Sequence, residues 1–278
     1  MKAQQKLPEE SDSTAEDVAI TYQVPASGKA KKNRKLILSD REIKLIHSNK
    51  MLTDESINLG QQYLKEDFPG FAGFFDTALL KWNDQDIIPT QRRYVQIVNL
   101  GNSHWVCVSS TSKSKNSNQT HDIWDSLSRN KVSDELKKTI SEYSFCKEEN
   151  LELILKPVQQ QTNGVDCGVY CLAVATALVH AVDPCLVAFD ETKMRDHLVQ
   201  CLQQKNMTLF PTTSKRVRRC ITKKTIVPIF CRCRKPYFEG ENMVQCTICK
   251  EWFHFKCEKI PKSRNLTNTN WRCTECKP

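Results

Sequence analysis

The sequence predicts an α+β domain over residues 36–211 followed by a small metal-held domain over 228–278. Three observations carry that expectation. Helical and strand patterns follow one another without regular β–α–β alternation; one segment, 168–181, is apolar on every side of a helical wheel; and eight Cys and His residues near the C-terminus fall in closely spaced pairs.

Residues 1–35 are rich in Lys, Glu, Gln, Ser and Ala without apolar periodicity, so a disordered polar N-terminus is expected. Apolar residues then recur at three- and four-residue intervals over 36–48 and 54–65, which predicts two amphipathic helices, with Asp54 as N-cap or first-turn acid of the second. Residues 94–100 and 105–109 alternate as strands, and a polar loop over 110–120 separates them from a further strand at Ile123 and Trp124. A helix over 134–143 and a strand over 151–158 follow. The segment 168–181 carries Val169, Tyr170, Leu172, Ala173, Val174, Ala177, Leu178 and Val179, so its helix must be buried. An amphipathic helix over 192–203 precedes Phe210-Pro211, where the domain ends. Residues 212–227 read as a basic linker.

The net charge of +9 is concentrated in two clusters, Lys29, Lys31, Lys32, Arg34 and Lys35, and Lys215, Arg216, Arg218, Arg219, Lys223 and Lys224. Such clusters suit an acidic partner, nuclear import or direct contact with DNA, and equally suit a linker kept soluble. The chain shows no signal-type leader and no apolar run long enough to cross a bilayer, so no membrane partner is expected. Half of its fourteen cysteines belong to the C-terminal pairs, a usage that points to a reducing compartment.

Those pairs are Cys231 and Cys233, Cys246 and Cys249, His254 and Cys257, and Cys273 and Cys276. Thiolates and imidazole so spaced are tetrahedral Zn²⁺ ligands, and eight of them make two structural sites. A segment of this length buries too little apolar surface to fold unaided, so the metal supplies most of its folding free energy.

Cys167 begins the apolar helix. The positive end of the backbone dipole there favours thiolate, the nucleophilic form. A cysteine hydrolase also needs an imidazole, an acid to orient it and an oxyanion donor. His104 at a strand start, Asp125 at a strand end and Gln161 six residues before the cysteine are the candidates. Taken singly each has a plainer reading, as surface His, turn Asp or core thiol, and Cys107, Cys146, Cys171, Cys185 and Cys201 are read as core thiols. His121 is the rival imidazole, close in sequence to Asp125 and beside the polar loop.

His104-Trp105, Ile123-Trp124-Asp125-Ser126-Leu127 and Gln161-Thr162-Asn163-Gly164-Val165-Asp166-Cys167-Gly168, in that order, resemble the SUMO-specific and adenovirus-protease-like cysteine peptidases. Leu52-Thr53-Asp54, Ile57 and Phe68-Pro69-Gly70 extend the resemblance over about 36–211. It implies a papain-like fold, with a central mixed sheet and a buried catalytic helix. By it, His104 is the general base, Asp125 its orienting acid, Gln161 the oxyanion donor and Cys167 the nucleophile, cutting after the Gly-Gly of a ubiquitin-like modifier of SUMO or NEDD8 type without a catalytic cofactor. Family members cover a narrow Gly-Gly tunnel with two tryptophans. Trp105 matches one; Met51 stands in place of the other, which implies a softer lid.

The order of four Cys, one His and three Cys, with Trp271 two residues ahead of Cys273, resembles the PHD finger. A RING finger shares the cross-brace, but the His after four Cys and the Trp before the last pair are PHD habits. The resemblance implies that Cys231, Cys233, His254 and Cys257 hold one zinc and Cys246, Cys249, Cys273 and Cys276 the other. It further implies a reader of the methylated histone H3 tail, with Tyr237, Met243 and Trp252 forming a cage that holds a methylammonium by cation–π attraction. Thr247 and Phe255 depart from the usual Asp and Gly of such readers. The leading expectation is a nuclear isopeptidase or processing protease brought to chromatin by its finger. The alternatives are a chromatin-binding adaptor without turnover and a mobile-element-type protease acting on another substrate.

Overall fold

The computed structural model describes residues 37–78, 93–110, 119–128, 130–143, 148–262 and 270–277. Cys146, the Lys29–Lys35 cluster, the N-terminal 1–35 segment and most of the 110–120 loop lie outside them.

Strand β2 (Tyr94–Leu100) turns back into β3 (His104–Ser110) through Gly101 and Asn102, whose φ angles of 55° and 57° are ones that Gly and Asn accept at little cost. The pairing is antiparallel, from Tyr94 opposite Ser110 to Leu100 opposite His104, so the turn fixes His104 at the mouth of the hairpin. β4 (Gln119–Trp124) adds antiparallel to β3 and ends one residue before Asp125. A parallel neighbour needs a crossover, and α3 (Asp134–Tyr143) provides it before β5 (Asn150–Leu155). β1 (Ala72–Gly73) pairs parallel with β2 at one edge, and the sheet order is β1-β2-β3-β4-β5-β6.

The sixth strand is β6 (Lys223–Pro228), from the stretch that reads as a basic linker; it pairs antiparallel with β5 from Leu155 opposite Lys223 to Asn150 opposite Pro228. Its exposed Lys223, Lys224 and Ile226 and its buried Val227 show why the sequence conceals it. An edge strand bearing lysines is polar where it meets water. Upstream, Gln160 N donates to Arg218 O at 2.8 Å and Cys220 N to Val158 O at 3.2 Å, so the strap continues to within one residue of Gln161. Two of the basic residues are engaged: Arg219 donates to Val187 O at 3.1 Å and Lys224 pairs with Glu152 at 2.7 Å.

The helices follow the periodicity. α1 (Asp40–His47) is capped by Ser39, and α2 (Asp54–Asp67) by Thr53, whose hydroxyl accepts from Ser56 N, leaving Asp54 as the first-turn acid. α4 (Cys167–Val179) is buried at all thirteen positions, as its all-round apolar character requires. It lies against β2 and β3, with α2 and α5 (Met194–Gln204) against it. β2 is buried at six of seven positions instead of alternating, because both α4 and α3 pack on it. Among the described residues no helix is long and apolar enough to cross a membrane.

The finger contains β7 (Met243–Gln245) and β8 (Trp252–His254), paired antiparallel. Its apolar centre is small: Val244, Phe253 and Phe255 share it with the ligand residues Cys231, Cys246 and Cys273. Ile229 N donates to Glu149 O at 2.8 Å, and the Arg234 guanidinium donates to Glu148 O, so the finger follows directly from the sheet.

Candidate functional site

The hairpin, the crossover and α4 bring His104, Asp125 and Cys167 together, and Gln161 is held against Ser126, the residue after Asp125. His104 Nε2 lies 2.8 Å from Asp125 Oδ1, with both side chains largely covered. Asp125 Oδ1 also accepts from Leu127 N at 2.9 Å, which fixes the carboxylate against its own turn. The other ring nitrogen of His104, Nδ1, is buried without a hydrogen-bond partner, and Cys167 is close enough to act on the titration of the ring. That nitrogen is therefore available to share the thiol proton. Burial alone would lower the pKa of His104, but the Asp125 carboxylate and the Cys167 sulfur outweigh it and raise the value from 6.5 to about 9.

A raised pKa means that the charged ring is favoured in the folded protein, so its contribution to stability is complete below 6.5 and is lost as pH rises through about 9. If the charged ring also works in turnover, kcat/KM falls as pH is raised through about 9. Asp125→Asn removes the principal raising influence, and the alkaline limb should move down by at least about one pH unit. A limb unmoved in the variant would show that Asp125 does not govern His104.

Gln161 is 8% exposed. Its Oε1 accepts from Ser126 Oγ at 2.7 Å, and its Nε2 donates to Asn163 O at 2.6 Å. An amide NH₂ carries two donors, so this bond leaves one for an oxyanion. Cys167 is 1% exposed at the first position of α4. Burial pushes the Cys107 and Cys171 thiols up and keeps them protonated, as befits core thiols. Cys201 is buried as well, whereas Cys185 is partly exposed. The rival His121 is buried in β4, where its ring meets the Tyr94 hydroxyl, and burial lowers its pKa to about 3.

Trp105 is 2% exposed, and its indole N–H donates to Leu52 O at 3.0 Å, which ties it to the segment that carries Met51. A Cβ on Gly168 would stand 3.0 Å from Leu52 Cβ and 3.1 Å from Trp105 Cδ1. A side chain at this position would crowd both neighbours by a few tenths of an ångström. Gly168→Ala should cost about 1–3 kcal/mol, read as a lower thermal midpoint, because the buried indole and the helix start must part.

The finger residues separate into two groups of four. Cys231, Cys233, His254 and Cys257 form one, and Cys246, Cys249, Cys273 and Cys276 the other, with the ligand atoms of each group all within 4.8 Å of one another. Cys249 Sγ and Cys273 Sγ are 4.0 Å apart, and Cys233 Sγ and His254 Nδ1 3.3 Å. A tetrahedron with Zn–S bonds of about 2.3 Å has edges of roughly 3.8 Å, so both donor sets fit zinc. His254 Nε2 faces the Glu241 carboxylate at 3.7 Å, longer than a hydrogen bond. Tyr237, Met243 and Trp252 line one cleft of about 1470 Å³, with Ile226 of β6 and Asp134 of α3 on it as well. Trp252 and Tyr237 are 43% and 49% exposed, so their faces are not spent on the finger's core.

Comparison with known proteins agrees with both halves. Residues 60–205, just over half of the chain, match the model of the Ulp1 protease family, C-terminal catalytic domain, and residues 231–276 match the PHD-finger model. The chain is 37% identical over 49 residues to lysine-specific demethylase 7A of Xenopus tropicalis and 40% identical over 52 residues to the chromatin remodeling protein SHL of Arabidopsis thaliana. These matches take in 18% and 19% of this chain and only 5% and 23% of those proteins. Among solved structures, the Ulp1 protease domain in complex with Smt3, the yeast ortholog of SUMO, is similar at a TM-score of 0.46 and 18% identity, over 64% of this chain and 90% of that one.

Proposed function

The chain belongs to the Ulp1 protease family, and on that premise we propose that it is a cysteine peptidase or isopeptidase that cleaves after the Gly-Gly of a ubiquitin-like modifier. The observation that supports this reading is the His104–Asp125 pair at 2.8 Å, with Cys167 acting on the same ring and Gln161 held against Ser126, the residue after Asp125.

In the proposed reaction the Cys167 thiolate attacks the carbonyl carbon of the terminal Gly. The oxyanion so formed takes the free Gln161 N–H, and the His104 imidazolium gives its proton to the departing amine as the C–N bond breaks. A thioester to Cys167 remains. Water, deprotonated by the now neutral His104, attacks it, and the C–S bond breaks to release the modifier carboxylate and the thiolate. Asp125 holds the ring in place throughout. The burial of Cys167 favours a substrate whose last residues carry no side chain, and Trp105 and Met51 are proposed to border its entry.

The test is covalent labelling. Full-length protein incubated with ubiquitin, SUMO and NEDD8 probes bearing a C-terminal electrophile should be labelled at Cys167 by one of them, and labelling by none would overturn the reading. Gln161→Ala should lose about 10²–10³-fold in kcat. Met51 in place of a tunnel Trp favours a second reading, an adaptor that holds a modifier without turnover; probe-reactive protein that hydrolyses no conjugate would decide for it.

We further propose that Tyr237, Met243 and Trp252 hold a methylated lysine of the histone H3 tail and bring the enzyme to chromatin in the nucleus, the finger being held by two structural zinc ions. The half-exposed aromatic faces support this, each contact with a methylammonium being worth about 0.5–2 kcal/mol. Trp252→Ala should abolish binding of a trimethyl-lysine H3 peptide in calorimetry, and unchanged affinity would refute the cage.

A further inference from the structure

Arg195, in the first turn of α5, reaches three residues on two separate stretches of chain with one guanidinium. Its Nε and Nη2 donate to Asp166 Oδ1 at 2.8 and 2.5 Å, its Nη1 donates to Ile46 O at 2.5 Å, and its Nη2 also donates to Lys50 O at 2.7 Å. The Arg195 and Asp166 side chains are only 13% and 12% exposed. None of these residues touches the proposed reacting atoms, yet each partner leads to them.

On one side, Asp166 is the residue before Cys167 and the N-cap of α4. Its Oδ2 accepts from Asn163 Nδ2 at 2.6 Å, Asn163 Oδ1 accepts from Val165 N and Asp166 N, and Asn163 O accepts from Gln161 Nε2. The loop that presents both nucleophile and oxyanion donor is thus closed on itself and fastened at Asp166. On the other side, Ile46 O is a carbonyl in the last turn of α1, and Lys50 O immediately precedes Met51 and Leu52, the latter bonded to Trp105. That segment carries Met51, the residue proposed above to border the substrate entry.

We propose that Arg195 is a positioning residue that sets the two walls of the site separately: through Asp166 the wall that carries Cys167 and Gln161, and through the Ile46 and Lys50 carbonyls the wall that carries Met51. The inference rests on the hydrolase reading for its kinetic form. A planar fork with donors on both edges is what lets one side chain serve a carboxylate and two carbonyls at once; a lysine ammonium can neutralise Asp166 but cannot span all three. Removing the cation altogether would strand a buried carboxylate and endanger folding, so the informative changes are conservative ones.

The experiment measures kcat and KM of full-length protein on the aminocoumarin amide of the modifier that labels it, with thermal melts alongside. Arg195→Lys should keep kcat within about threefold and raise KM about tenfold, whereas Asp166→Asn should lower kcat about tenfold and keep KM within about threefold, as sub-ångström displacement of one wall or the other requires. A merely structural loss would lower apparent kcat of both variants in step with the folded fraction seen in the melts and leave KM at the parental value in both. That outcome, or parental kinetics in both, overturns the proposal. The alkylation rate of Cys167 by chloroacetamide, followed by peptide mass mapping, needs no modifier. Should the parent cleave no modifier amide, the hydrolase reading fails, and the clamp is still decided: slower alkylation in Asp166→Asn but not in Arg195→Lys supports it, and equal rates in all three proteins refute it.

Discussion

Replacing Cys167 by Ala, or His104 by Ala, is expected to lower kcat of Gly-Gly cleavage by at least about 10⁴-fold, with the double variant scarcely worse than either single one. In the proposed reaction the two residues act as a unit. Without the sulfur there is no acyl acceptor, and without the imidazole nothing takes the thiol proton in the buried setting where His104 Nδ1 otherwise waits without a partner. Affinity for a trimethyl-lysine peptide should be unchanged in both variants, because Cys167 and His104 lie outside the finger's ligand groups and outside the cleft lined by Trp252. Single-turnover rates at saturating conjugate measure the effect. A Cys167→Ala protein that still released modifier would end the case for covalent catalysis, whatever the geometry.

Removal of zinc should unfold the finger and leave the protease-family domain standing. The apolar centre of the finger is Val244, Phe253 and Phe255 packed with ligand cysteines, far too little to balance the ordering of some fifty residues, whereas a structural zinc site is worth about 10–16 kcal/mol of binding free energy. Chelation followed by Trp fluorescence and hydrogen exchange should show loss of protection from about Phe230 onward. β6 should stay protected, since it is paired along its length with β5. Ending the chain at Pro211 is predicted to be far worse for catalysis than chelation. It removes the acceptor for Gln160 N and the donor to Val158 O, next to Gln161, and strips the β5 edge. Ending it after Phe230 should leave kcat within about threefold of the parent if the strap is what matters. Equal activity of both truncated chains would show that the strap supports nothing.

Much of this was open to reading from the residues. α2, β2, α3 and α4 stand within a residue or two of where periodicity places them, because each carries its own pattern, with Asp54 marking the first turn of α2 and the uninterrupted apolar run marking α4. The four candidate site residues and the eight candidate ligands are likewise marked by type and spacing. Other features carry no local mark. Arg195 is an ordinary basic residue on an amphipathic helix until folding sets Ile46, Lys50 and Asp166 around it. Residues 223–227 read as linker because their lysines face water, and nothing within the strand announces that β5 offers an open edge. Periodicity in β2 misleads for a related reason: helices cover both of its faces, which no alternation within the strand records.

What the chain alone determined was therefore the inventory: which segments are helix or strand, which thiol heads the buried helix, and which Cys and His residues are spaced as ligands. What only the tertiary structure decided was adjacency. His104 meets Asp125 because a turn and a register place them so, Arg195 bridges stretches some 145 residues apart, and the strap reaches the neighbour of Gln161. The physical reason is one of range. Helix and strand propensities and metal-ligand spacing are short-range properties written within a few residues, whereas contacts between distant segments arise only when burial and strand pairing offset the entropy of closing long loops.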